Sequence, residues 1–144
     1  MTDHLSSMRR LVAFFETLTP ATVRQIRVVY ATDARFKDPF NDIGGHAAIV
    51  EVFEHMFVQL DQPRFVVLEQ MVRGEQGFLT WELHFRLARW PDRPQVIRGA
   101  THVRFNADGQ VALHRDYWDA AEELYEKLPV LGALMRYLKR RASR

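Results

Sequence analysis

The chain reads as an α+β domain in which a curved antiparallel sheet wraps around one long helix. N-terminal helices cover its open side, and a C-terminal helix or lid closes one end. Three observations predict this. Apolar residues recur at spacings of three and four over the first sixty positions, they alternate in four successive segments between 65 and 118, and turn residues separate those segments. Helices leading into a run of strands, rather than strict alternation of the two, is the order of an α+β fold. A twisted sheet folded around a helix leaves a cone-shaped hollow, open at one end.

The bulk numbers agree with one globular domain. A chain of 144 residues, 47% hydrophobic and 26% charged, can bury roughly two thirds of its unfolded surface and needs no staples. There is no cysteine, which excludes disulfides, thiolate metal sites and a cysteine nucleophile. No apolar run approaches the ~20 residues of a membrane span, and the N-terminus lacks a secretory leader pattern; the expected location is cytoplasmic. The net charge is +2, and Arg136, Lys139, Arg140, Arg141 and Arg144 crowd the last nine positions. Without those five cations the rest of the chain is slightly acidic, so a nucleic-acid partner is not expected.

Each element has its own signal. Met8, Leu11, Val12, Phe15 and Leu18, with Phe14 widening the stripe, predict an amphipathic helix over 5–18. Thr19 and Pro20 supply an N-cap and a first helical position for a second helix reaching about Tyr30. Residues 34–40 read as a short extended piece, and Asn41-Asp42-Ile43-Gly44-Gly45 as a turn. A third helix over 46–60 carries Ile49, Val52, Phe53, Met56, Phe57 and Leu60, a wide face suited to lying on a sheet. Strands are expected over 65–72, 77–90, 95–106 and 111–118. Asp108-Gly109 marks a tight hairpin and Pro91-Asp92-Arg93-Pro94 joins the two long strands. Asp119 caps a last helix over 120–128, Pro129 breaks it, and 130–137 continues into the basic tail. The division is a domain over 1–128 and an amphipathic tail of the same domain over 129–144.

The segment His114-Arg115-Asp116-Tyr117-Trp118-Asp119 combines charges and large aromatics at the end of an alternating run. If it is extended, His114, Asp116 and Trp118 share one face and Arg115 and Tyr117 the other. An acid beside an imidazole and an indole reads as a pocket wall; the alternative is an Asp116–Arg pair at a sheet end with packed aromatics.

Together with Lys37-Asp38-Pro39-Phe40 and the order of elements, that segment resembles the nuclear transport factor 2-like superfamily over about residues 5–128. The superfamily includes steroid delta-isomerases, limonene epoxide hydrolases and polyketide cyclases. Likeness to the isomerases implies Asp38 as a general base and Trp118 as a pocket residue. Phe14 and Thr101 stand at the positions of the isomerase oxyanion donors, and one such donor is worth about 3 to 4 kcal/mol, so efficient steroid isomerisation is not expected. Likeness to the epoxide hydrolases implies Asp116 as the water-activating acid, with Glu82 and His84 at the positions of an Arg-x-Asp pair on a neighbouring strand. Likeness to the cyclases implies Asp116 working with His84 or His114 on an acidic carbon.

The candidate catalytic residues are therefore Asp38, Asp116 and His84. A carboxylate in an apolar hollow becomes a better base, and imidazole titrates near neutrality. Candidate ligand contacts are Phe14, Tyr30, Phe36, Phe40, Phe53, Phe57, Glu82, Thr101, His114 and Trp118. Alternation over 78–87 puts Trp81, Leu83, Phe85 and Leu87 on one face and Thr80, Glu82, His84 and Arg86 on the other. Periodicity alone leaves open which face is inward; the resemblance implies that Glu82 and His84 face the cone and that the apolar row mates with a second subunit. The six histidines show no metal-ligand spacing, and neither metal nor cofactor is expected. The expected partners are a small apolar molecule and a second copy of the chain. The tail reads either as a lid on the cone or as a segment that lies on an anionic membrane surface or binds an acidic partner.

Overall fold

In the computed structural model the described residues are 4–120, 123, 140 and 141. Helix α1 (His4–Glu16) buries Met8, Leu11, Phe14 and Phe15, the apolar stripe of the sequence. It ends where the Thr17 hydroxyl donates back to the Ala13 carbonyl at 2.6 Å.

The second helix is shorter than its pattern suggests. Thr19 Oγ1 accepts from the Thr22 N–H at 3.2 Å, but this closes a turn that contains Pro20; the helical residues begin at Val23, with Thr22 as N-cap and no side-chain capping bond. Beyond it the chain makes a 3-10 turn (Val23–Gln25) and then a single α-turn, α2 (Ile26–Val29). Tyr30 already has extended dihedrals and opens strand β1 (Tyr30–Lys37), four residues before the expected start. Val28, Val29 and Tyr30 favour strand over helix, and pairing of Tyr30 with Val111 captures the segment for the sheet.

The expected turn at 41–45 contains a three-residue strand, β2 (Asp42–Gly44), antiparallel to β1. Helix α3 (His46–Gln59) comes next. Strands β3 (Asp61–Arg73), β4 (Gln76–Leu87), β5 (Trp90–Phe105) and β6 (Val111–Tyr117) form the predicted meander. The β4–β5 turn falls at Ala88 and Arg89, so Pro91 to Pro94 belong to β5 rather than to the connection. At the β5–β6 hairpin, Gly109 adopts φ 79° and the Asn106 side chain accepts the N–H groups of Asp108 and Gln110; glycine takes that dihedral without strain.

The six strands form one sheet in the order β2-β1-β6-β5-β4-β3. Every pair is antiparallel except β1–β6, which is parallel. Register shifts in β1–β6, β3–β4, β4–β5 and β5–β6 bend the strands, giving a curved sheet that does not close. Helices α1 and α3 pack on one face, Phe15 of α1 against Phe65 of β3 and Phe53 of α3 against Phe36 of β1. The other face carries no helix among the described residues.

Candidate functional site

Strand β4 decides what the hollow is made of. Leu79, Trp81, Leu83, Phe85 and Leu87 are buried under the helices, whereas Thr80, Glu82, His84 and Arg86 lie on the uncovered face. The inward placement of Glu82 and His84 implied by the resemblance is thus reversed. A sheet covered on one face must put its apolar row there. Glu82 instead meets His84 at 3.1 Å and Arg98 at 3.4 Å in a surface network. Nor is β4 next to Asp116, since β5 lies between β4 and β6; the cross-strand partner of Asp116 is Thr101. With Trp81 and Phe85 facing inward, the apolar outer row invoked for a dimer is the cavity wall.

Between α3 and the inner face lies a cavity of about 490 Å³, within the usual size of small-molecule sites. Its walls are mainly apolar: Phe36, Phe40, Phe53, Phe65, Trp81, Phe85 and Trp118, with aliphatic residues of α3 and β5. Three carboxylates border it: Glu51 of α3, and Asp38 and Asp116, which come from separate stretches of chain. Beside Asp116 a smaller void of about 20 Å³ lies against Thr101, His114 and Trp81, the size of one water molecule.

Asp116 is held by residues distant in sequence. Its Oδ1 accepts from Thr101 Oγ1 at 2.6 Å and from His114 Nε2 at 2.6 Å. Behind Thr101, Trp81 Nε1 donates to Oγ1 at 2.8 Å; behind His114, Tyr30 OH lies 2.7 Å from Nδ1. Thr101 and His114 are 2% and 1% exposed and Tyr30 is fully buried, so these bonds run through the protein interior. Burial, with the Asp116 charge nearby, pushes the Tyr30 phenol well above its ordinary value. Gly99, opposite Trp81 on β5, makes room for the indole: a Cβ there would sit 2.4 Å from the ring.

Asp38 is held locally. Its Oδ1 accepts from the backbone N–H groups of Phe40 at 2.8 Å and Asn41 at 2.6 Å, and the Asn41 amide donates to both oxygens. This is a turn closed by an aspartate side chain. Burial raises the Asp38 carboxyl above the ordinary carboxylate value; the Phe40 and Asn41 bonds oppose the rise and the Asp116 charge adds to it.

Of the expected ligand contacts, Phe36, Phe40, Phe53 and Trp118 line the cavity, and Thr101 and His114 line the small void. Phe14 and Tyr30 sit behind that layer, Phe14 against Tyr30 and Phe53. Phe57 packs on the core and is not on the wall. Trp81, Leu83, Phe85 and Ile97 are wall residues that sequence reasoning puts outside or passes over; the richer apolar row of β4 is the signal that identifies the first three, and Ile97 is the β5 partner of Leu83.

The Asp119 carbonyl accepts the Glu123 N–H at 2.8 Å, where the last helix is expected to begin. The rest of that helix and the tail lie outside the described residues, apart from Arg140 and Arg141; Arg141 reaches the cavity wall. Among the described residues no group of three histidines or acids is arranged to hold a metal, and no helix is long and apolar enough to cross a membrane.

A family model described as SnoaL-like domain matches residues 11–114. No curated protein matches the chain. Among solved structures it is similar to a protein from Burkholderia pseudomallei K96243 described as NTF2-like and of unknown function, with TM-score 0.71 and 17% identity over 85% of this chain and 95% of that one. A protein with a ketosteroid isomerase-like fold from Catenulispora acidiphila DSM 44928, in complex with trimethylamine, gives TM-score 0.69 and 13% identity over 82% and 88%. An LEH-like epoxide hydrolase of M. tuberculosis gives 0.67 and 14% over 93% and 96%. At these identities the likeness is one of fold.

Proposed function

The chain belongs to the SnoaL-like domain family, within the nuclear transport factor 2-like superfamily, and on that footing we propose that it binds a small apolar molecule in the cavity and moves a proton on it. One observation carries the reading: Asp38 and Asp116 border the same largely apolar chamber. Burial raises the Asp38 carboxyl above the ordinary carboxylate value, so that it accepts a proton more readily. The ligand class is a carbonyl- or epoxide-bearing compound, with Asp116 and Asp38 as bases of an isomerase-, cyclase- or hydrolase-type step. His84 is not carried forward, because it lies on the opposite face of the sheet. The void beside Asp116 suits a water molecule in the hydrolytic version.

A carrier or sensor without turnover is the second reading, favoured by the fate of the nearby donors. Thr101, His114 and Trp81 direct their protons to one another and to Asp116, and Phe14 offers none to a developing oxyanion.

Asp116→Asn and Asp38→Asn, made singly, separate these readings. Ligand-induced thermal shift reports binding, and turnover is followed on a panel of ketones and epoxides. For an enzyme, Asp116→Asn lowers turnover at least about a hundredfold while binding persists. Binding by the parent without turnover establishes the carrier, and a parent that binds no member of the panel ends both readings.

A homodimer through the uncovered face is part of the proposal, now resting on other residues. Met71, Phe78 and Tyr117, at 64%, 43% and 50% exposure, border a shallow groove on that face. Sedimentation of the parent and of Phe78→Asp tests it; a parent that stays monomeric at high concentration removes it.

A further inference from the structure

We propose that Tyr30 and Trp81 are positioning residues that fix the polarity of a buried hydrogen-bond chain and so make Oδ2 of Asp116 the oxygen that meets the ligand. The inference rests on the reading that Asp116 acts in the cavity, and it assigns work to four residues behind it.

The chain has two ends, and each begins with a group that can act in one direction. The Trp81 indole is a donor and never an acceptor, so its N–H must go to Thr101 Oγ1, 2.8 Å away. Thr101 therefore turns its own proton away from Trp81, toward Asp116 Oδ1 at 2.6 Å. At the other end the Tyr30 phenol is buried and keeps its proton. Its acceptor is His114 Nδ1 at 2.7 Å, so Nδ1 carries no hydrogen and Nε2 carries it, donating to the same Oδ1 at 2.6 Å. Were His114 in the opposite tautomer, the Tyr30 proton would be stranded in the core and Nε2 would face the carboxylate lone pair against lone pair.

Two protons thus converge on Oδ1. Oδ2 has no hydrogen-bond partner among the described residues, and the carboxylate borders the cavity. Among the described residues neither hydrogen bond to Asp116 comes from an arginine or a lysine. The geometry also gives Gly99 a task, since any larger residue pushes the indole out of line with Thr101.

Nuclear magnetic resonance tests each end. In the parent at about pH 8, where imidazole is ordinarily neutral, the nitrogen spectrum of His114 shows a proton on Nε2 and none on Nδ1. Tyr30→Phe moves the Nδ1 resonance toward that of an unbonded ring nitrogen. With aspartate carboxyl carbons labelled, Thr101→Val raises the titration midpoint of Asp116 by about one pH unit, because a donor to the charged form is lost. Gly99→Ala moves it the same way by displacing Trp81, and covers the case in which a polar variant fails to fold.

A proton on Nδ1 in the parent, or a midpoint unmoved by both Thr101→Val and Gly99→Ala, overturns the proposal. Asp116→Asn that keeps full turnover would instead sink the enzymatic role of Asp116, with the tautomer and the midpoint shifts still as expected.

Discussion

Asp38 and Asp116 share a cavity but are held in opposite ways. Among the described residues, every hydrogen bond to the Asp38 carboxylate comes from Phe40 and Asn41, two and three residues further on. Asp116 is gripped by Thr101, fifteen residues away on β5, and by His114, which is backed by Tyr30 at a separation of 84. The first is a loop motif that would close in a short peptide; the second exists only when β1, β4, β5 and β6 have assembled. A local motif fixes a carboxylate cheaply, while an interior network makes its geometry part of the stability of the fold.

Breaking the network should therefore cost much more than breaking the loop. His114→Ala leaves the Tyr30 hydroxyl without its acceptor, removes one of the two donors to Asp116 and opens a void in the core; it should lower unfolding free energy by about 3 to 5 kcal/mol, read by urea denaturation. Thr101→Val keeps the shape but strands the Trp81 N–H, with an expected loss of about 1 to 3 kcal/mol in the same experiment.

Asp38→Asn should be milder, because asparagine closes the same kind of turn, at a loss below about 1 kcal/mol. It sharpens the comparison through pH. The folded state holds the Asp38 proton to higher pH than the unfolded chain does. From about pH 3.9, where the unfolded carboxyl ionises, up through the raised folded value, the unfolded state therefore binds fewer protons, and stability from this group falls as pH rises. Asp38→Asn should flatten that fall in urea midpoints measured across the acid range; an unchanged slope would remove the buried-carboxyl account. The smallest effect belongs to the uncovered face, where His84→Ala should change stability by less than about 0.5 kcal/mol and leave any turnover intact.

Legibility from sequence divides along the same line. Strand alternation puts His114, Asp116 and Trp118 on one face, and Lys37-Asp38-Pro39-Phe40 singles out Asp38 by resemblance; both acids do border the cavity. Phe57 is misplaced by sequence because a wide helical stripe contains both wall and core positions. Tyr30 reads locally as the end of a helix, since its strand partner Val111 is 81 positions away and invisible to local periodicity.

Period and turn chemistry are local, and they sufficed for the α+β class, the meander, the helix that lies on it and which side chains travel together along each strand. They could not choose the inward face of β4. Both rows obey the same alternation, and the choice is made when α1 and α3 cover one side and the apolar row gains most by going under them. Only the assembled sheet makes Trp81 a cavity wall, takes His84 out of the site, and stands Thr101 and Tyr30 behind Asp116. Those relations are set by which strands become neighbours, and strand neighbours are fixed by burial summed over the whole sheet.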